Sequence, residues 1–223
     1  MADRAQFLEF IRHRTRTGQY KPTQAPDVAW SAKGEPQAEE PIEDPPARFL
    51  EELEALGGYG RRVETLEEAR EYVLALARKR GAKLLVRWDV EELEKLDVDG
   101  PLRESKVEVV IWRDLEDFRE VAARADIGLS MAEWAIAETG SLILTGGPGR
   151  GRTVTLLPPT YVAVVAESRV LRTVSEAIER YAEQGEIPAN VCFHTGPSRS
   201  GDIEMSLAIG VHGPGEVHVV LVG

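Results

Sequence analysis

The sequence predicts a layered α/β domain with a mostly parallel sheet. Short apolar runs typical of strands alternate with amphipathic helical stretches through most of the chain, and this alternation is the pattern of βαβ units. Residues 161–165 are apolar throughout, as expected for a strand that is covered on both faces. A chain of 223 residues fits one large domain, or one domain with an arm.

The first 45 residues differ in composition from the rest. Residues 3–14 have the spacing of a short helix, and prolines then recur among acidic and small residues up to position 46. We therefore predict an N-terminal helix and Pro-rich acidic arm at 1–45 and the α/β domain at 46–223. Two arrangements of the arm stay open: it wraps the domain, with Trp30 and Ile42 as contacts, or it is disordered.

The first half of the domain predicts helices and strands in alternation. Thr65 and Glu68 form a capping-box pattern, and Gly81 ends the helix that follows. Helices are predicted at 49–56, 65–80 and 114–124, strands at 61–63, 83–88 and 107–112, and a mostly irregular segment at 89–105 with a short helix at 90–95.

The second half is predicted to hold most of the strands. They fall at 141–145, 153–157, 161–165, 190–194 and 217–222, with a short connector or strand at 126–130, a helical turn at 132–137 and helices at 170–181 and 203–209. The glycine loop 146–151 lies between two of these strands. A dinucleotide fingerprint needs a helix after its glycines. We therefore favour a hairpin tip whose arginines, Arg150 and Arg152, are solvated or contact a partner.

Charge and cysteine content restrict the functional class. A net charge of −11 argues against a general binder of nucleic acid or anionic membranes. The single cysteine, Cys192, excludes an internal disulfide and cysteine-only ligation of a metal or iron–sulfur cluster within one chain. No standard zinc spacing occurs, so no metal site is predicted. Without a signal-peptide core or an apolar run of about 18 residues, we expect a cytoplasmic protein with no membrane span.

The first candidate site is the turn 195–204. It lies between the predicted strand 190–194 and the predicted helix 203–209, and the first N–H groups of a helix attract anions. Arg199 adds a fork of donors for a carboxylate or phosphate. The alternative is structural: Asp202 or Ser200 caps the helix, and Arg199 pairs with an internal carboxylate.

The second candidate site is the Glu138-Thr139-Gly140 turn, which we expect to face the turn 195–204. A glutamate beside a glycine at a strand edge can act as nucleophile, base or ligand contact. The alternative is a buried glutamate that ties loop N–H groups together. We assign catalysis to Glu138 and Asp202. The predicted anion-binding residues are Thr139, Gly140, Thr195, Gly196, Ser198, Arg199 and Ser200.

Four stretches then occur in a recognisable order. They are AIAETGSL at 135–142, LLPP at 156–159, TGPSRSGDIE at 195–204 and GVHGP at 210–214. Together they resemble the LUD domain family, and in particular its C-type lactate-utilization component, over roughly 46–223.

The resemblance implies a fold similar to the sugar-phosphate isomerase and CoA-transferase group. It also implies a component of a three-protein system that oxidises L-lactate to pyruvate; the ligand expected from Arg199 and its turn is a small carboxylate or phosphate. Iron–sulfur clusters are expected in the partner proteins and no cofactor in this chain; a homo-oligomer is left open. The alternatives are acyl or CoA transfer through Glu138, whose Glu-x-Gly motif resembles that of CoA transferases, and a non-catalytic assembly or regulatory subunit.

Overall fold

The computed structural model describes Glu9 and residues 42–114, 117–185, 188–201, 207–210 and 212–223. Most of the predicted N-terminal helix and Pro-rich arm lies outside the described residues, as does Asp202, so these predictions stay open. Ile42–Gly223 forms one compact unit. Among the described residues, no helix is both long and apolar enough to cross a membrane.

Helices and strands alternate along this unit. The helices are α1 (Pro45–Ala55), α2 (Leu66–Arg80), α3 (Glu91–Leu96), α4 (Asp99–Glu104), α5 (Phe118–Arg124), α6 (Thr153–Leu156) and α7 (Val174–Gln184). The strands are β1 (Tyr59–Val63), β2 (Leu84–Arg87), β3 (Glu108–Ile111), β4 (Ile127–Met131), β5 (Trp134–Ile136), β6 (Ser141–Thr145), β7 (Thr160–Ala166), β8 (Val170–Leu171), β9 (Val191–Thr195), β10 (Arg199–Gly201), β11 (Leu207–Ile209) and β12 (Glu216–Val222).

A six-stranded parallel sheet forms the centre, in the order β1-β12-β7-β4-β2-β3. Strand β7 pairs with β12 and β4, and its residues 160–165 are all buried. The prediction of a layered α/β domain with a mostly parallel sheet is confirmed. The chain passes from β2 to β3 on one side, then from β4 to β7 and β12 on the other, so the direction of strand addition reverses between β2 and β4.

Two smaller sheets complete the described fold. One has four strands in the order β8-β5-β6-β9, and the other is the antiparallel pair β10–β11. Strand β6 pairs antiparallel with β9, which places Ser141 opposite Thr195 and Leu142 opposite His194. The parallel sheet therefore carries most of the core, while the four-stranded sheet positions the predicted site residues.

The local stop and start signals behave as predicted for α2. The Thr65 hydroxyl accepts a hydrogen bond from the Glu68 N–H at 3.2 Å, and the Glu68 carboxylate accepts one from the Glu64 N–H at 2.9 Å. Gly81 ends the helix in the left-handed conformation.

Three predictions in the second half are wrong. Residues 134–136 are strand β5, not a helical turn, because all three are buried and pair with β6 on one side, and 135–136 pair with β8 on the other. Residues 153–156 are the helical turn α6, not a strand, because local hydrogen bonds such as Leu157 N–H to Thr153 C=O close the turn. Residues 207–209 are strand β11, since they pair with β10.

These corrections change two arguments made from the sequence. The glycine loop is followed by a helix after all, but α6 has four residues and the preceding strand, β6, lies outside the parallel sheet. The dinucleotide fingerprint needs a full helix there. The turn after β9 leads into a strand pair, so it is not the N-terminus of a helix.

Much of the segment 89–105, predicted to be mostly irregular, is helical, as α3 and α4.

Candidate functional site

Three of the four recognisable stretches line one cavity of about 390 Å³, and the fourth, 135–142, is hydrogen-bonded to its wall. Strand β9 and the turn after it provide its main wall, from Cys192 to Arg199, and residues 212–214 provide a second wall. Leu156, from the LLPP stretch, and Leu56, from the end of α1, complete the lining. The AETGS stretch reaches the cavity through hydrogen bonds.

A chain of hydroxyl groups joins the Glu138-Thr139-Gly140 turn to the cavity wall. Thr139 Oγ1 donates to Ser141 Oγ at 2.8 Å, and Ser141 Oγ lies 2.7 Å from Thr195 Oγ1. The two turns therefore lie side by side, as expected from the sequence. Ser141 is not among the site residues predicted from the sequence. It reaches Thr195 through the pairing of β6 with β9, and the sequence does not predict that pairing.

Both turns pack against the C-terminal end of α1. Gly140 has φ +60°, and a Cβ there would lie 2.6 Å from the Leu53 backbone nitrogen. Gly196 has φ +65°, and a Cβ there would lie 2.9 Å from Leu56 Cβ. L-residues rarely adopt such backbone angles. Glycine at these two positions is therefore explained by packing, without any ligand.

Arg199 points to the end of α1. One terminal N–H, on Nη2, donates to the Leu56 carbonyl oxygen. A helix C-terminus carries partial negative charge, so it stabilises this cation. Arg199 is exposed and forms no ion pair with a carboxylate in the described parts of the chain. Its remaining N–H groups can therefore serve a ligand, and among the described residues around it no helix begins.

Ser198 connects the turn to the GVHGP stretch. The Ser198 N–H donates to the Pro214 carbonyl at 2.9 Å, and the Gly210 N–H donates to the Ser198 carbonyl at 3.0 Å. His212 is exposed on this second wall of the cavity. Ser200 lies in β10 opposite Ala208.

His194 contributes a buried, neutral imidazole to the cavity wall. Burial lowers the pKa of His194 to about 4, and a hydrogen bond with the Gly196 backbone opposes this shift in part. Its ring centroid lies 5.0 Å from that of Tyr161, whose hydroxyl is 2.7 Å from Ser130 Oγ. From the sequence, His194 is interpreted as an ordinary core or surface histidine. Its position directly before the turn 195–204 is the feature that points to a site residue.

Cys192 lines the same wall as a protonated thiol. Burial raises the pKa of this thiol, and Arg152 lowers it only in part. The thiolate is the nucleophilic and metal-binding form of cysteine, so this environment does not favour either role. In the described parts of the chain, no three His, Cys, Asp or Glu side chains are grouped to hold a metal ion.

Glu138 is directed away from the cavity, to the start of α7. Its Oε1 accepts a hydrogen bond from the Val174 N–H at 2.6 Å, and its own N–H donates to the Arg172 carbonyl at 3.0 Å. A carboxylate at a helix N-terminus stabilises the free N–H groups there. This is the structural alternative that the sequence left open for Glu138.

Comparison with known proteins identifies the family. The LUD domain matches residues 46–222 of the chain. The chain belongs to the LUD domain family. The resemblance carried by the four stretches is thereby confirmed.

Several relatives in this LUD family carry the name lactate utilization protein C. The protein of that name from Geobacillus sp. (strain WCH70) is 34% identical over 168 residues, covering 71% of this chain and 70% of the relative. The one from Halalkalibacterium halodurans is 35% identical over 157 residues, covering 69% of this chain and 67% of the relative.

A solved structure shares the fold of this LUD domain. A crystal structure of a DUF162 family protein from Deinococcus radiodurans superposes with a TM-score of 0.56 at 23% identity. The match covers 79% of this chain and 95% of that protein. The predicted similarity of the fold to the sugar-phosphate isomerase and CoA-transferase group stays a prediction.

Proposed function

We propose that this chain is a component of a lactate-utilization system, and that the cavity beside β9 binds L-lactate or a similar small carboxylate. One observation carries the proposal: three of the four stretches that resemble the LUD family, separated in sequence, line this cavity, and Ser141 of the fourth is hydrogen-bonded to Thr195 in its wall. The relatives named lactate utilization protein C support lactate as the metabolite.

The chemistry of the cavity suits a small hydroxy acid. Arg199 has free N–H groups for a carboxylate, and Thr195 and Ser198 provide hydroxyl groups on the same wall. With a pKa of about 4, His194 is too weak a base to remove a proton efficiently near pH 7. We assign it to hydrogen bonding with the ligand, and we keep Asp202 as the proposed acid/base.

The oxidation itself needs a group that accepts electrons. A chain with one cysteine cannot hold an iron–sulfur cluster with cysteine ligands alone. We propose that partner proteins carry such clusters and that the electrons of lactate pass to them. Phe193 and Leu156, 43% and 39% exposed at the cavity, form an apolar rim suited to a partner.

Binding of L-lactate to the full chain tests the site directly. Isothermal titration is expected to show binding that weakens by about tenfold or more in Arg199→Gln, because a charge-assisted hydrogen bond is lost. Arg119→Gln is the matched control, because Arg119 is exposed on α5 and does not line the cavity. Equal affinity in wild type and Arg199→Gln would reject the role of Arg199.

Deletion of the gene tests the physiological role. Growth on L-lactate is expected to fail, and the tagged chain is expected to co-purify with iron–sulfur proteins. Normal growth after deletion, in a strain with no other lactate dehydrogenase, would refute the proposed role.

The exposed rim favours a second candidate, a non-catalytic assembly subunit. Under that hypothesis Arg199→Gln leaves lactate oxidation intact, while Phe193→Asp abolishes it by blocking the partner. Loss of lactate oxidation in Arg199→Gln, with co-purification of the partners retained, would favour the ligand site instead.

A further inference from the structure

A second cavity, of about 310 Å³, lies at the carboxyl ends of the central strands. Trp88 follows β2, Met131 ends β4 and Ala166 ends β7, and all three line it. The direction of strand addition reverses between β2 and β4. In open α/β sheets, ligands bind in the crevice outside the strand ends at this reversal. None of the residues lining this cavity belongs to the motif-lined site beside β9.

The glycine loop forms a wall of this second cavity. The indole N–H of Trp88 donates to the Gly151 carbonyl at 2.9 Å, and the Asp89 N–H donates to the Gly149 carbonyl at 2.9 Å. These bonds fix the loop to the end of β2. Arg150, between the two anchored positions, lines the cavity and is half-buried.

Two arginines give this cavity unpaired positive charge. Arg150 donates to Thr145 Oγ1 at 2.9 Å, and Arg169 lies in the 3₁₀ turn after β7. Neither arginine forms an ion pair with a carboxylate within the described residues. Arg87, at the end of β2, is by contrast fully engaged with Asp99 through two 2.8 Å hydrogen bonds. Arg150 and Arg169 are therefore available to an anion.

The rest of the lining specifies the ligand further. The apolar surface comes from Trp88, Val90, Met131 and Ala132. Two carboxylates, those of the exposed Glu92 and the half-buried Glu133, also line the cavity and balance the charge of the two arginines. A carboxylate repels a purely anionic ligand but accepts a hydrogen bond from a hydroxyl or amino group. The cavity volume falls at the lower end of the range for small-molecule sites.

We propose that this cavity is a second ligand site, and that it takes a small organic anion carrying a hydroxyl or amino group. The acid group, a carboxylate or a phosphate ester, lies between Arg150 and Arg169. The hydroxyl or amino group donates to Glu133, and the carbon frame lies against Met131.

Titration of the full chain with three probes tests this site. Glycerol 3-phosphate and L-lactate represent the two acid groups with a hydroxyl, and acetate lacks the hydroxyl. At least one hydroxylated probe is expected to bind, and Arg150→Gln or Arg169→Gln is expected to weaken it by about tenfold or more. Acetate is expected to bind more weakly, and Arg119→Gln to leave this binding unchanged.

Arg169→Gln keeps the test decisive if Arg150→Gln fails to fold, because Arg169 is exposed and its side chain has no hydrogen-bond partner within the described residues. The proposal is overturned if both hydroxylated probes bind with Kd above about 10 mM, or if binding is the same in Arg169→Gln as in Arg119→Gln. Binding of both hydroxylated probes that depends on Arg199, and on neither Arg150 nor Arg169, would leave the first site standing and reject this one.

Discussion

At the scale of single residues, His194, which lines the cavity, makes the stability of the fold depend on pH. Its imidazole is buried beside Tyr161 and stays neutral in the folded chain until about pH 4. The unfolded chain takes up the proton near the ordinary pKa of 6.5. Between these values the unfolded state binds more protons, so stability falls as pH falls from about 6.5 to about 4.

Replacing His194 tests this linkage. Relative to His194→Gln, the wild type should lose about 2–3 kcal/mol of unfolding free energy between pH 7 and pH 4.5. Urea unfolding of both proteins at the two pH values measures it, and His218 titrates equally in both. If both proteins lose the same unfolding free energy between the two pH values, a low pKa for His194 is contradicted.

At Gly140 a backbone constraint and a packing constraint coincide. Gly140→Ala should lower the free energy of unfolding by about 2–4 kcal/mol, because φ +60° is strained for alanine and its Cβ meets the end of α1. Gly81→Ala is the matched control, with φ +61° and no atom within 4 Å of the new Cβ. It should cost about 1 kcal/mol. Equal losses would show that the contact with α1 is unimportant.

At the scale of elements, Glu138 belongs to the start of α7. Glu138→Ala should destabilise the fold by about 1–2 kcal/mol, as should Thr173→Ala, because each removes an acceptor from the first turn of α7. Glu138→Gln keeps an acceptor oxygen and should retain stability and lactate oxidation. A thioester trapped on Glu138 with an acyl-CoA would contradict this assignment and restore the acyl-transfer hypothesis.

The elements that sequence reasoning found are those with local signals. Strand β7 is apolar on both faces, and α2 has its capping box and terminal glycine. Strands β5 and β11 were missed because pairing with distant segments, rather than local pattern, makes them extended. Ser141 was missed as a site residue for the same reason: the register of β6 with β9 places it opposite Thr195, which lines the cavity. The turns 138–140 and 195–204 could be predicted as site segments, because a resemblance to a family is recognised without knowing which strands pair.

At the scale of the whole molecule, charge is distributed unevenly. The chain carries a net charge of −11, yet each of the two cavities has arginine N–H groups that no carboxylate within the described residues engages. Local cationic groups in an acidic protein suit small anions rather than nucleic acid. We therefore propose small-anion binding at two separate positions of one LUD domain, in the motif-lined cavity and in the cavity at the strand ends.

The central claim is that the motif-lined cavity is a small-carboxylate site. A crystal structure of the full chain with L-lactate, at several times its measured Kd, tests it most directly. We expect lactate next to β9, with its carboxylate on Arg199 and its hydroxyl within hydrogen-bond distance of Thr195 or His194. A cavity that stays empty while lactate binds elsewhere, or not at all, would contradict the account.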